Sequence, residues 1–139
     1  MNPQTLELQK QIAQGMARSM TEPWERIVVN FETAMMPDGR DVNYIFFYIS
    51  SSGNDDFKET SVQLLPEDVT RFFVELNDAM VESKGDRWGT CDFILDSSGK
   101  FDFKFDYGPP RRLNSVFDDT SMDRFDRHLD EYRAERAGK

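Results

Sequence analysis

The stretch that most constrains this chain is WGTCDFILDSSGKFDFKFDY, from Trp88 to Tyr107. Cys91, Phe93 and Leu95 alternate with Thr90, Asp92 and Ile94. After Asp96-Ser97-Ser98-Gly99, the residues Phe101, Phe103, Phe105 and Tyr107 alternate with Lys100, Asp102, Lys104 and Asp106. Successive residues of a strand point to opposite faces, so the second arm has an aromatic face and a charged face. Ser and Asp bond to nearby backbone, and Gly99 can supply a residue at positive φ; the stretch therefore reads as a β-hairpin. Such a hairpin demands an apolar layer on one side. It leaves a Lys/Asp ladder facing water or a partner.

The other elements fall around it. Leu8, Ile12 and Met16 are spaced by four, with Leu6, Ala13 and Met20 nearby, which predicts an amphipathic helix over 4–20. Thr21-Glu22-Pro23 stops it, because the residue before a proline avoids the α region. A strand follows over 26–34, with Ile27, Val29 and Phe31 on its apolar face and Asn30 and Glu32 on the other. Met36-Pro37-Asp38-Gly39-Arg40 is a turn by composition. The next strand, 42–50, is apolar on both faces: Tyr44, Phe46 and Tyr48 on one, Ile45, Phe47 and Ile49 on the other. A strand of that kind is central and covered twice, or offers one face to a partner.

Residues 50–56 read as a polar loop, with a short strand over 57–64 marked by Phe57, Val62 and Leu64. Pro66 at a first helical position, followed by Glu67 and Asp68, opens a helix to about residue 83. Val69, Phe72, Phe73, Leu76 and Met80 form its inward stripe and Gly85 ends it. Beyond the hairpin, Gly108-Pro109-Pro110-Arg111-Arg112 breaks the ladder, since tandem prolines cannot continue it. Residues 113–119 are irregular, and Thr120 or Ser121 caps a last helix with Met122, Phe125, Leu129 and Tyr132 inward. The order α-β-β-(β)-α-β-β-α predicts an α+β fold, an antiparallel sheet of four to five strands with three helices, in a single domain over residues 1–139.

Charge narrows the function. A net charge of −9 argues against direct binding to nucleic acid or to an anionic membrane. It favours basic protein partners instead. The single cysteine, Cys91, excludes an internal disulfide and a cysteine-based zinc site, and reads as a small buried hydrophobe. Residues 1–20 carry Glu7, Lys10 and Arg18, unlike a signal peptide, and no apolar run is long enough for a membrane span. A cytoplasmic protein is expected.

Signals for catalysis are thin. His128 is the only histidine, and its neighbours Asp126 and Asp130 point away from it on a helix. No glycine-rich phosphate loop and no serine elbow occurs. Asp92, Asp102 and Asp106 share one face of the hairpin and could bind a divalent cation or act as an acid–base pair, but Lys100 and Lys104 interleave with them. That pattern fits charge pairing on a solvated face. No catalytic residue, metal site or cofactor is expected.

The run Trp88…Asp96-Ser97-Ser98-Gly99-Lys100-Phe101…Phe105-Asp106-Tyr107 resembles the C-terminal half of YezG-like immunity proteins, antitoxins of polymorphic bacterial toxins. In those proteins an aromatic start leads into a strand, an S-x-G-K-F-type turn, and a second strand ending in D-Y. The N-terminal half is similar in plan: a short helix, Pro23-Trp24-Glu25 leading into a strand, and a Tyr/Phe-rich strand ending in Tyr48. The Gly108–Arg112 run and the Asp/Arg-rich last helix depart from the pattern. The resemblance implies a non-enzymatic protein that binds a cognate secreted toxin with a basic surface, often a nuclease, and holds it inactive. For such a complex a few aromatic anchors would supply affinity and rim charges rate. Tyr44, Tyr48, Trp88, Asp102, Asp106, Asp118 and Asp119 are the candidate toxin-binding residues, each with an alternative as core or as solvated charge.

Two other classes compete. An acidic secretion chaperone for an effector protein would use the two-faced strand Tyr44 to Ile49 as an apolar groove, and would dimerise. A carboxylate-dependent hydrolase would need Asp102 and Asp106 in a concave pocket with shifted pKa values. An inhibitor is expected to be a monomer.

Overall fold

A computed structural model of the chain describes residues 3–117 and 119–138, the side chains of 119–126 excepted. Helix α1 (Pro3–Ser19) leads into β1 (Arg26–Met36), β2 (Gly39–Gly53) and β3 (Asp56–Val62). Helix α2 (Glu67–Lys84) follows, then β4 (Thr90–Asp96), β5 (Phe101–Asp106), a single 3-10 turn (Arg112–Asn114) and α3 (Asp119–Ala137). The five strands form one antiparallel sheet in the order β3-β2-β1-β4-β5. The fold is α+β, with the three helices and the element order the hydrophobic pattern predicts.

One sheet face carries the main core. Leu8, Ile12 and Met16 of α1 and Val69, Phe73, Leu76 and Met80 of α2 pack on Ile27, Val29, Phe31, Phe46, Cys91, Phe93 and Leu95. Phe31 stacks on Phe73 with ring centroids 4.6 Å apart. Each such buried side chain contributes about 1.5–3 kcal/mol relative to exposure. Burial also pushes the Cys91 thiol well above its usual pKa, with Asp92 adding to the effect, so this cysteine is inert. Phe101, Phe103 and Phe105 extend the aromatic layer along β5, half-buried at the edge.

β2 is covered twice. Phe46 joins the main core, while Val28 and Phe47 form a second cluster on the opposite face with Ile45 and Ile94. α3 lies over that face: His128 meets the Phe47 ring at 5.7 Å and Tyr132 meets Phe57 edge-on at 5.0 Å. His128 is therefore half-buried against the sheet rather than facing solvent. Leu129 is half-buried and Tyr132 buried, as their spacing predicts; the side chains of Met122 and Phe125 lie outside the described residues.

The turns follow their residues. Gly99 sits at φ 98° and closes the β4–β5 hairpin, its N–H donating to the Asp96 carbonyl at 2.9 Å. Gly85 caps α2 in the left-handed region at φ 86°, donating to the Val81 carbonyl at 2.8 Å. Pro66 stands at the N-cap, one residue outside the helix it introduces. Residues 50–56 are not a loop. β2 runs on to Gly53, and Asn54 and Asp55, at φ 54° and 60°, make a tight two-residue turn into β3. Asn and Asp tolerate the left-handed conformation that such a hairpin turn requires, and the polar run hides strand residues open to water.

Candidate partner-binding surface

The register sorts the polar face row by row. Asp92 pairs with Lys104, Ile94 with Asp102 and Thr90 with Asp106. The same rows cross β1 at Asn30, Val28 and Glu32. α3 covers the β1–β3 half of this face, and the β4–β5 half is left open. Asp102, Lys104 and Asp106 are exposed there, the charged ladder that strand alternation predicts.

A groove of about 780 Å³ separates the C-terminal turns of α3 from this hairpin. Ile94, Asp102 and Lys104 line it from the sheet, and Glu131, Glu135 and Arg136 from the helix. Arg26 lies at its base, bonded to Asp96 at 2.6 Å and to Glu135 at 2.7 Å, with its guanidinium 4.8 Å from the Tyr132 ring centroid. Burial works against the Arg26 charge, but Asp96 and Glu135 outweigh it and hold the guanidinium pKa above its usual value. Arg26 is thus a structural tie between sheet and helix. A second tie joins Arg133 to Asp56 at 2.9 Å and to the Phe57 carbonyl at 3.1 Å; the Phe57 N–H and Arg133 together lower the Asp56 pKa.

The site residues predicted from sequence do not share one surface. Asp102 and Asp106 are exposed on the open polar face, four residues apart with Lys104 between them. Asp106 also accepts the Gly108 N–H at 2.8 Å. Tyr44 and Tyr48 are on the opposite, helix-covered face, both half-buried. The Tyr44 ring lies parallel to Phe31 at 6.2 Å, and its hydroxyl accepts the Leu65 N–H at 3.2 Å. Tyr48 borders a shallow opening with Met20, Glu22, Val62 and Leu64. Trp88 is fully buried, 6.4 Å from Phe31 and 5.6 Å from Phe105, and it belongs to the core. Its carbonyl accepts the Asn77 amide at 2.8 Å, and Asn77 is held in turn by Arg87. Asp118 lies outside the described residues, as does the side chain of Asp119, the first residue of α3.

This geometry bears on the competing readings. The chaperone's apolar groove on β2 is filled, because both faces of that strand are packed. The hydrolase reading needs a sheltered carboxylate pair, whereas Asp102 and Asp106 are exposed with a lysine between them. Among the described residues, no group of three or more His, Cys, Asp or Glu could hold a metal ion. No described helix is long and apolar enough to cross a membrane.

One feature of this face was not predicted. Glu32 and Asn30 in β1 are buried, and Arg112, beyond the tandem prolines, reaches in to meet them. A glutamate in a strand buried along most of its length is the signal that a counter-charge is required. Nothing local says which arginine supplies it.

No curated protein matches the chain. The sequence model of the family described as "Immunity protein YezG-like" matches residues 6–129, from α1 into α3, and the chain belongs to the YezG-like immunity protein family.

Proposed function

We propose that this protein neutralises a cognate secreted toxin by binding it, in the cytoplasm of the producing cell, as a monomer and without chemistry of its own. The open charged half of the sheet, Asp102-Lys104-Asp106 beside the groove under α3, is the observation that carries the reading. It is an accessible polar face on rigid strands, in a family of immunity proteins. The charge of −9 suits a toxin with a basic surface, and a nuclease that grips phosphates has such a surface. Asp102, Asp106, Asp118 and Asp119 would steer encounter, while Tyr48 and Tyr44 on the other face would serve only a partner that wraps around the β3 edge. Trp88 would act indirectly, by holding the β4–β5 hairpin in place.

The test is protection. The chain is co-expressed with the product of the neighbouring reading frame, which this reading expects to carry the toxin domain, and the purified pair is assayed for complex formation across salt concentrations. Restored growth with a one-to-one complex is expected. Failure to bind or protect would remove the reading, as would turnover by the isolated chain that disappears on Asp102→Asn.

A further inference from the structure

The segment 108–117 does more than end the hairpin. Asn43, Glu32, Thr90 and Asp106 form one row across β2, β1, β4 and β5 on the polar face. The segment leaves the sheet just beyond Asp106 and returns over Glu32. There the Glu32 carboxylate accepts the Arg112 N–H at 3.2 Å and the Leu113 N–H at 3.0 Å, and it pairs with the Arg112 guanidinium at 3.2 Å. Arg112 also donates to the Asn43 side chain at 2.7 Å and to the Asn30 carbonyl at 3.3 Å. The segment closes on itself as well. Asn114 donates to the Pro110 carbonyl at 2.6 Å, and the Val116 N–H to the Arg111 carbonyl at 2.8 Å. Ser115 lies in the left-handed region at φ 61°, a conformation that costs a residue other than glycine about 1 kcal/mol.

A buried ion pair is a poor source of net stability, since an apolar pair of similar volume holds as well or better. Its five directed bonds do define a single pose for the segment. What that pose presents is apolar: Val116 is 40% exposed and Phe117, beside it, 66%. A backbone tied down as far as the Val116 N–H spares part of the ordering cost that a flexible loop would meet on binding.

We propose that Val116 and Phe117 are the anchor by which this protein docks to its toxin, with Phe117 entering an apolar pocket ringed by basic side chains. The inference rests on the toxin-binding reading above. The charge of the pocket rim follows from the surroundings: Asp41 and Asp106 are exposed on the same face to either side of the segment. Arg111 and Lys104 are exposed cations nearby, and the charge of Arg112 is met by Glu32. The chain as a whole carries −9.

The experiment measures affinity and dissociation rate against the purified toxin domain encoded beside this chain, for wild type, Phe117→Ala, Val116→Ala and Glu32→Gln, with a thermal midpoint for each. Phe117→Ala is expected to weaken binding about thirtyfold or more, mainly through faster dissociation, with its thermal midpoint unchanged. Glu32→Gln should weaken binding too, and adding Phe117→Ala to it should do less harm than in wild type, because the anchor is already misplaced. Should Glu32→Gln fail to fold, Phe117→Ala decides the matter by itself. Wild-type affinity for Phe117→Ala would overturn the anchor and leave the inhibitor reading standing. A fall in thermal midpoint matching the loss of binding would also overturn it, by showing the ring to be packed. A wild-type chain that does not bind the toxin domain would remove the inhibitor reading and the anchor together.

Discussion

Glu32 and Arg112 stand 80 residues apart in the chain and 3.2 Å apart in the fold, both side chains almost wholly out of water. Burial pushes the Arg112 guanidinium below its usual pKa, with Glu32 and Asp92 pulling the other way. Each partner is therefore costly without the other. Arg112→Met should lower stability by about 3–5 kcal/mol in urea denaturation, by leaving the Glu32 charge buried without its partner. Pairing it with Glu32→Leu should recover part of the loss. A change under about 1 kcal/mol for Arg112→Met would mean that water reaches Glu32.

The same segment is fitted closely against Gly89, the residue before β4. A Cβ on Gly89 would lie 2.7 Å from the Gly108 carbonyl oxygen and 2.8 Å from the Pro110 ring. Both neighbours belong to a backbone that the Arg112 network holds down, so neither yields easily. Gly89→Ala should cost about 1–3 kcal/mol and loosen residues 108–117. Thermal melts with hydrogen exchange at residues 111–116 would check it, and wild-type protection would show slack at this contact.

Charge should govern encounter more than residence. Replacing Asp102 and Asp106 together with lysine should slow association with the toxin domain about tenfold at low salt. The difference should close near 1 M salt, where screening acts within about 3 Å. Dissociation should change little. Rates that are insensitive to salt would place the open hairpin face outside the contact. Lysine at Asp118 and Asp119 tests those two acids in the same way.

Asp78 links stability to pH. Burial opposes its ionisation, but Arg87 at 2.7 Å and Arg40 at 2.6 Å outweigh that and hold its pKa below the ordinary range. A carboxylate whose pKa is lower folded than unfolded stabilises the fold above its unfolded pKa of about 4, and the benefit is lost as pH falls through the folded value. Asp78→Asn should therefore be less stable than wild type at pH 7 and converge with it once pH has fallen below the lowered folded pKa. Urea midpoints over that range measure the gap. A constant gap would assign the effect to lost hydrogen bonds rather than to charge.

The order of elements, the β4–β5 hairpin and the two apolar faces of β2 were legible because they rest on periodicity; that both faces of β2 are covered was one of two alternatives the pattern left open. Cys91, Phe93 and Leu95 face the core, and Lys104 and Asp106 face away, by alternation that no distant contact needs to supply. The end of β2 was misread because serines and glycine look the same in a loop and in a strand open to water. The candidate site was legible in part. Alternation placed Asp102 and Asp106 on the open face, but it could not tell that Trp88 would be enclosed by Phe31 and Phe105, or that Tyr44 and Tyr48 would lie on the other side of the sheet.

Local pattern, then, determined which residues form strands and helices and which face of each is apolar, since spacing at two or at three to four residues is a property of neighbours in the chain. Only the tertiary structure decided that Glu32 would be answered by Arg112, that Arg26 would tie Asp96 to Glu135, and that Phe117 would be left bare. The physical reason is distance along the chain. A buried charge requires some partner, but which one it meets depends on how the sheet brings remote segments into the same row.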